Sequence, residues 1–116
     1  MSQIVMQKRQ VGDICILEWR NSHLDSSNTK EFKVQAGSCV GTAKKVILDL
    51  TGVTFIDSTG LGALLSILRT LRERNGDFRV CCAAKAIQLL FELVRIDKIL
   101  DIHETREEAI IASNKL

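Results

Sequence analysis

Hydrophobic residues recur along the chain with two different periods, and the changes of period mark the elements. Residues 3–8 and 13–20 hold short apolar and β-branched runs on either side of Gly12-Asp13, a pair suited to the turn of an antiparallel hairpin. Residues 45–50, Lys-Val-Ile-Leu-Asp-Leu, are nearly continuously apolar, as expected of a central strand covered on both faces. Residues 77–83 read as a similar strand and 99–102 as a shorter one.

Helical spacing fills the intervals. Phe32, Ala36, Cys39 and Val40 make one stripe after the N-cap-rich cluster Asp25-Ser26-Ser27-Asn28; Gly37 inside it costs about 1 kcal/mol against alanine. Leu61, Leu64, Leu65, Leu68 and Leu71 make the strongest stripe. It ends in Arg69, Arg72 and Arg74, which suit the negative end of a helix dipole, and Gly76 is placed to stop it. Ile87, Leu90, Phe91 and Val94 form a third, and Thr105-Arg106-Glu107-Glu108 fits a capping box opening a last helix. Ile67, Leu89 and Leu93 fall off these stripes and read as ordinary exposed residues, as second-face core or as part of a partner-binding patch. The predicted order is ββαβαβαβα: a small α/β domain with a mixed, mostly parallel sheet, an antiparallel edge strand, and helices packed on it.

Composition narrows the class. A chain of 116 residues, 46% of them hydrophobic, fills one core, so residues 1–116 are expected to form a single domain. Sixteen Lys+Arg against fourteen Asp+Glu, scattered along the chain, leave a net charge of +2, too balanced for a nucleic-acid clamp. No apolar run approaches the ~20 residues of a membrane span, and the N-terminus lacks the apolar core of a signal peptide. A cytoplasmic protein with reduced thiols is the expectation. Cys15, Cys39, Cys81 and Cys82 then read as small core hydrophobes. Cys81 and Cys82, adjacent in a predicted strand, are expected on opposite sheet faces and so unable to share a metal. His23 and His103 lack ligand-like spacing, and neither metal nor cofactor is expected.

The chemistry-bearing stretch is residues 46–66, where a buried strand turns through Asp57-Ser58-Thr59-Gly60 into the leucine-striped helix. Ser58 is thereby set at a helix N-terminus near the carboxyl end of a sheet, where free N–H groups favour an anion. Asp57 or Ser58 as a plain helix cap is one reading. Nucleotide binding is disfavoured because Gly60-x-Gly62 is followed by Leu65 where a third glycine belongs, and no Gly-Lys-Ser/Thr occurs. Ser58 lacks the Gly-x-Ser-x-Gly setting of a hydrolase, and neither histidine belongs to an identifiable triad. Ser58 also interrupts the Asp-Thr-Gly turn of an aspartic protease. The remaining reading is a hydroxyl that accepts a group from a kinase.

Asp49-Leu50 with Val53-x-Phe55-Ile56-Asp57-Ser58-Thr59-Gly60-Leu61-Gly62, preceded by Leu24-Asp25-Ser26-Ser27-Asn28 and closed by residues 99–102 and Thr105-x-Glu107-Glu108-Ala109, resembles the bacterial anti-sigma-factor antagonists of the STAS domain family. The resemblance implies a non-enzymatic regulator that binds, when unphosphorylated, an anti-sigma factor that is also a serine kinase. Ser58 would be the phosphorylated residue, with Thr59 a lesser alternative, and a phosphoserine phosphatase would reverse the mark. It further implies a partner-binding surface of Asp25, Asn28, Asp57, Ser58, Thr59, Gly60 and Leu61, with Asp57 orienting the Ser58 hydroxyl and Asp25 helping to hold the kinase loop. Ser22 and Arg95 stand where family members tend to have glycine. A monomer or weak dimer without nucleic acid or membrane insertion is expected. The alternatives are a STAS subunit of a membrane transport complex acting without phosphorylation and, in a different class, a small-nucleotide-binding protein or enzyme.

Overall fold

The first strand of the opening hairpin runs past its expected end, up to the turn. In the computed structural model, which describes residues 6–115, β1 spans Met6–Val11 and β2 spans Ile14–Trp19. Residues 3–5 of the expected first strand lie outside the described residues. Gly12 supplies the positive φ, +61°, that the two-residue connection requires. Next come β3 (His23–Leu24), α1 (Thr29–Val40), β4 (Lys45–Asp49), β5 (Phe55–Ile56), α2 (Ser58–Arg72) and β6 (Asp77–Cys81). α3 (Lys85–Leu93), a 3₁₀ turn (Ile96–Lys98), β7 (Asp101–His103) and α4 (Arg106–Asn114) follow.

The main sheet has the order β1-β2-β4-β6-β7, with β1 antiparallel to β2 and every other pair parallel, so the expected architecture is found. The expected last strand, residues 99–102, is displaced: residues 96–98 form the 3₁₀ turn, Ile99 is exposed, and pairing with β6 begins at Asp101. Val94, expected in the core stripe of α3, follows the end of that helix and is exposed. β3 and β5 pair with each other in a separate two-stranded parallel sheet that the sequence pattern did not indicate.

The two sheet faces are covered unequally. Residues of α1, α2 and α3 pack with Leu17, Trp19, Val46, Leu48, Phe78 and Val80 in the larger core. α4 lies on the other face, where Ala109 meets Ile14, Ile16, Ile47 and Cys81. Trp19 meets Phe32 edge to face, with centroids 5.2 Å apart, and donates to the His23 carbonyl at 3.0 Å, which ties β3 to the end of β2.

Two polar clasps fasten helices to this frame. The Arg74 guanidinium, which follows α2 and was expected to serve that helix's dipole, donates to the carbonyls of Val40, Gly41 and Ala43 and so closes the carboxyl end of α1. Arg106, the first residue of α4, donates to Asp49 Oδ2 from Nε (3.1 Å) and Nη2 (2.7 Å) and to Glu18 Oε2 (2.7 Å). Burial pushes the Asp49 carboxyl up, but hydrogen bonds from Thr51 and Arg106 outweigh it and leave its pKa below the ordinary value. Glu18 is held low by Arg20 and, against its desolvation, by Arg106.

The cysteine expectations change in two ways. Cys15 of β2 and Cys39 of α1 are joined by a disulfide with Cα atoms 6.7 Å apart, within the range that a bridge spans. They are therefore not the free core thiols expected, although a reducing compartment would return them to that state. Cys82 has φ +63° and lies beyond β6. Its side chain turns back to the side of Cys81, and the Asp49, Cys81 and Cys82 ligand atoms all lie within 4.8 Å of one another. The alternation argument against shared use of the two thiols fails because Cys82 is not in the strand.

Arg95 occupies the left-handed region, φ +64°, between α3 and the 3₁₀ turn. A β-carbon there costs about 1–2 kcal/mol, which glycine avoids at some cost in unfolded-chain entropy. Arg95→Gly is expected to raise unfolding stability by about 0.5–1 kcal/mol. Urea titration checks this, and an unchanged or lowered midpoint would contradict it.

Candidate functional site

Two loops meet at the carboxyl ends of β2 and β4. The β3–β5 pairing sets His23 opposite Phe55 and Leu24 opposite Ile56. Thr54 N–H donates to Ser22 O (2.7 Å) and Asp57 N–H to Leu24 O (3.3 Å) at either end of that clip. The segment before α1 and the segment before α2 are thereby held side by side.

Asp57 joins them chemically. It is the extended N-cap of α2; its Oδ1 accepts from Gly60 N–H (2.9 Å) and from the Thr59 hydroxyl (2.6 Å), while Oδ2 accepts from Ser26 N–H (3.0 Å) across the junction. These bonds, led by the Thr59 hydroxyl, hold the Asp57 carboxyl below its ordinary pKa. The carboxylate is thus committed to capping and bridging, and it makes no hydrogen bond to the Ser58 hydroxyl. Thr59 Oγ is also committed. Ser58, the first residue of α2, is exposed, and its hydroxyl has no hydrogen-bond partner among the described residues.

The facing loop is internally braced. Asp25 Oδ1 accepts from Ser27 N–H (3.0 Å) and Ser27 Oγ (2.6 Å). Asn28 accepts from Asp25 N–H (2.9 Å) and donates to His23 O (3.0 Å). Asp25 and Asn28 therefore shape their own loop and make no hydrogen bond to Ser58 or Thr59. Gly60 is buried against the other strand segment: a Cβ there would lie 2.3 Å from Leu24 O and 2.8 Å from Ile56 Cγ2. The next two residues differ from it: Leu61 is half-buried and Gly62 is bare to solvent.

Among the residues off the core stripes, Ile67 is buried, whereas Leu89 and Leu93 are exposed, Leu93 at 82%. Ile67 is thus second-face core and no part of a surface. The sequence reading placed Leu24 and Ser26 in a motif but gave neither them nor His23 a bridging role, because they act through a two-residue strand and a backbone N–H that leave no periodic signal.

What this geometry presents is an exposed hydroxyl on a pair of loops tied together by hydrogen bonds, with no side-chain base bonded to it among the described residues. The chain belongs to the STAS domain family, which matches residues 5–109. Its curated relatives include the anti-sigma-B factor antagonist of Listeria monocytogenes, 31% identical over 61 residues, which are 53% of this chain and 54% of that protein. The matched segment thus spans about half the length of that relative. Among solved structures, an anti-sigma-factor antagonist (STAS) domain protein of Planctomyces limnophilus superposes with a TM-score of 0.87 at 18% identity, covering 94% of this chain and 97% of that one. Bacillus SpoIIAA in its phosphorylated form superposes with a TM-score of 0.70 at 19% identity, covering 92% and 97%. The murine Solute Carrier 26 family member A9 anion transporter carries the same fold in 19% of its length, at 16% identity and a TM-score of 0.76. No helix among the described residues is long and apolar enough to cross a membrane.

Proposed function

We propose that this protein is an anti-sigma-factor antagonist: a cytoplasmic, non-enzymatic regulator that binds an anti-sigma factor with serine kinase activity, releases the sigma factor, and is switched off by phosphorylation of Ser58. The observation that carries the reading is the unengaged, exposed Ser58 hydroxyl beside a Thr59 hydroxyl already spent on Asp57. In the transfer, Ser58 Oγ bonds the γ-phosphorus of ATP, ADP leaves with the electrons of the broken P–O bond, and the hydroxyl proton passes to a base of the kinase. A phosphatase then returns the hydroxyl and releases inorganic phosphate. The relatives named as anti-sigma factor antagonists and the phosphorylated structure of SpoIIAA support this reading.

Phosphate adds roughly 1.5–2 negative charges at a helix N-terminus, where free N–H groups tolerate it, so the fold is expected to survive. A partner surface shaped for a neutral hydroxyl would instead bury an unpaired dianion, a loss of about 2–5 kcal/mol. Incubation with the cognate kinase and ATP is expected to label Ser58, Ser58→Ala to abolish labelling and keep binding, and Ser58→Asp to weaken binding in part. Mass spectrometry and calorimetric titration read these results. Labelling of Ser58→Ala at the wild-type level, or wild-type affinity in Ser58→Asp, would overturn the proposal. The alternative of a transporter subunit rests on the fold shared with the murine transporter and predicts binding indifferent to the charge at Ser58.

A further inference from the structure

The two thiols at the end of β6 take no part in the Ser58 surface. Adjacent residues of a strand present opposite faces, yet Cys82, at φ +63°, brings its sulfur back beside that of Cys81 on the α4 side of the sheet. The backbone is fixed there by Cys82 N–H donating to His103 O at 3.2 Å. Cys81 is buried and Cys82 only partly so, which leaves Cys82 the more accessible of the two residues.

The third group of the cluster is not free to ligate. Asp49 Oδ1 accepts from Thr51 N–H and the Thr51 hydroxyl, and Oδ2 accepts twice from Arg106. Two sulfurs remain, with no imidazole or unengaged carboxylate in the group. Zinc asks for four ligands and calcium or magnesium for oxygens, which excludes both, whereas soft ions select thiolates. Burial and the Asp49 charge push the Cys81 thiol up, so a site that left two thiolate charges bare would be unfavourable. An uncharged covalent adduct carries no such cost.

We propose that Cys81 and Cys82 form a vicinal dithiol site for a thiophilic, low-coordinate metalloid, trivalent arsenic being the representative. In the binding step, an organoarsenic oxide loses its As=O bond and forms two As–S bonds. Both thiol protons leave with the oxygen as water, and arsenic stays trivalent. Cys15 and Cys39 lie in the larger core on the opposite face and are bonded to each other.

Phenylarsine oxide incubated with the folded protein, followed by intact mass under native conditions, is expected to show one phenylarsenic per chain in wild type and in Cys39→Ser. It should resist glutathione and leave on addition of a dithiol. Cys82→Ser, which retains one sulfur, is expected to bind at least 100-fold more weakly. Peptide mapping of the wild-type adduct should place arsenic across Cys81 and Cys82, a readout that does not depend on how the variant folds. No uptake by wild type, equal uptake by Cys82→Ser, or arsenic mapped to Cys15 and Cys39 would overturn the proposal.

Discussion

Gly60→Ala is expected to destabilise the domain by about 3 kcal/mol, whereas Gly62→Ala, two residues along the same helix, is expected to stabilise it by up to about 1 kcal/mol. The opposite signs follow from what a new Cβ would meet. At Gly60 it would fall 2.3 Å from Leu24 O and 2.8 Å from Ile56 Cγ2. That carbonyl cannot swing away, because it accepts from Asp57 N–H at 3.3 Å and belongs to the β3–β5 clip. The start of α2 would have to part from β3, and Asp57 would lose the geometry that lets it bridge to Ser26. At Gly62 nothing lies within 4 Å, so only the intrinsic helix preference for alanine is felt. Denaturant titration of the two variants reads both signs, and a Gly60→Ala as stable as wild type would refute the packing argument. Kinase labelling of Ser58 is expected to fall with Gly60→Ala, since the loop that presents the hydroxyl would be displaced.

The second large effect lies on the other face of the sheet. Arg106→Met is expected to cost about 3–5 kcal/mol, the usual penalty for stripping the partner from a buried charge. Asp49 is 2% exposed and would keep only its bonds from Thr51. Replacing both Asp49 and Arg106 by leucine is expected to recover most of the loss, because no unpaired carboxylate is left. The acid limb tests the same pair. In wild type the folded pKa of Asp49 lies below its reference of 3.8, so its stabilisation is complete above that reference and is lost as pH falls through the folded value. Without the guanidinium, burial opposes ionisation more effectively, and the penalty in Arg106→Met grows as pH rises. The stability gap between wild type and variant is therefore expected to be widest near neutrality and to narrow toward pH 3. A gap independent of pH would show that Arg106 acts by packing alone.

The elements legible in the sequence are those whose period is written over several residues. The leucine stripe of α2, the apolar run of β4 and the N-cap of α4 each announce themselves; of the expected capping box one half forms, Thr105 Oγ accepting from Glu108 N–H at 3.1 Å, while the Glu108 carboxylate makes no return bond to Thr105 N–H. The site loop was legible for a different reason, the cap chemistry of Asp57 before a strong helix. β3 and β5 were not legible, because two residues establish no alternation and their pairing partners lie 32 residues apart. The Arg74 clasp and the Arg106 latch join elements distant in the chain, and local pattern carries no record of such contacts. Cys82 escaped because a left-handed backbone at a non-glycine residue is set by its surroundings. Arg95 shows the same conformation, and only the family's preference for glycine hinted at it.

In the main sheet, spatial order follows chain order, β1-β2-β4-β6-β7. Each strand leaving the ribosome therefore finds its neighbour already made, and no gap waits for a later segment to fill it. Such a sheet can grow outward during translation. β3 and β5, which clip the loops around Ser58, are both synthesised before β6, while Arg106 follows β7. The clip that holds the Ser58 loop can thus form before Arg106 is available to seal the Asp49 carboxylate, so the exposed loop pair and the latch on the opposite sheet face are acquired at different moments of synthesis.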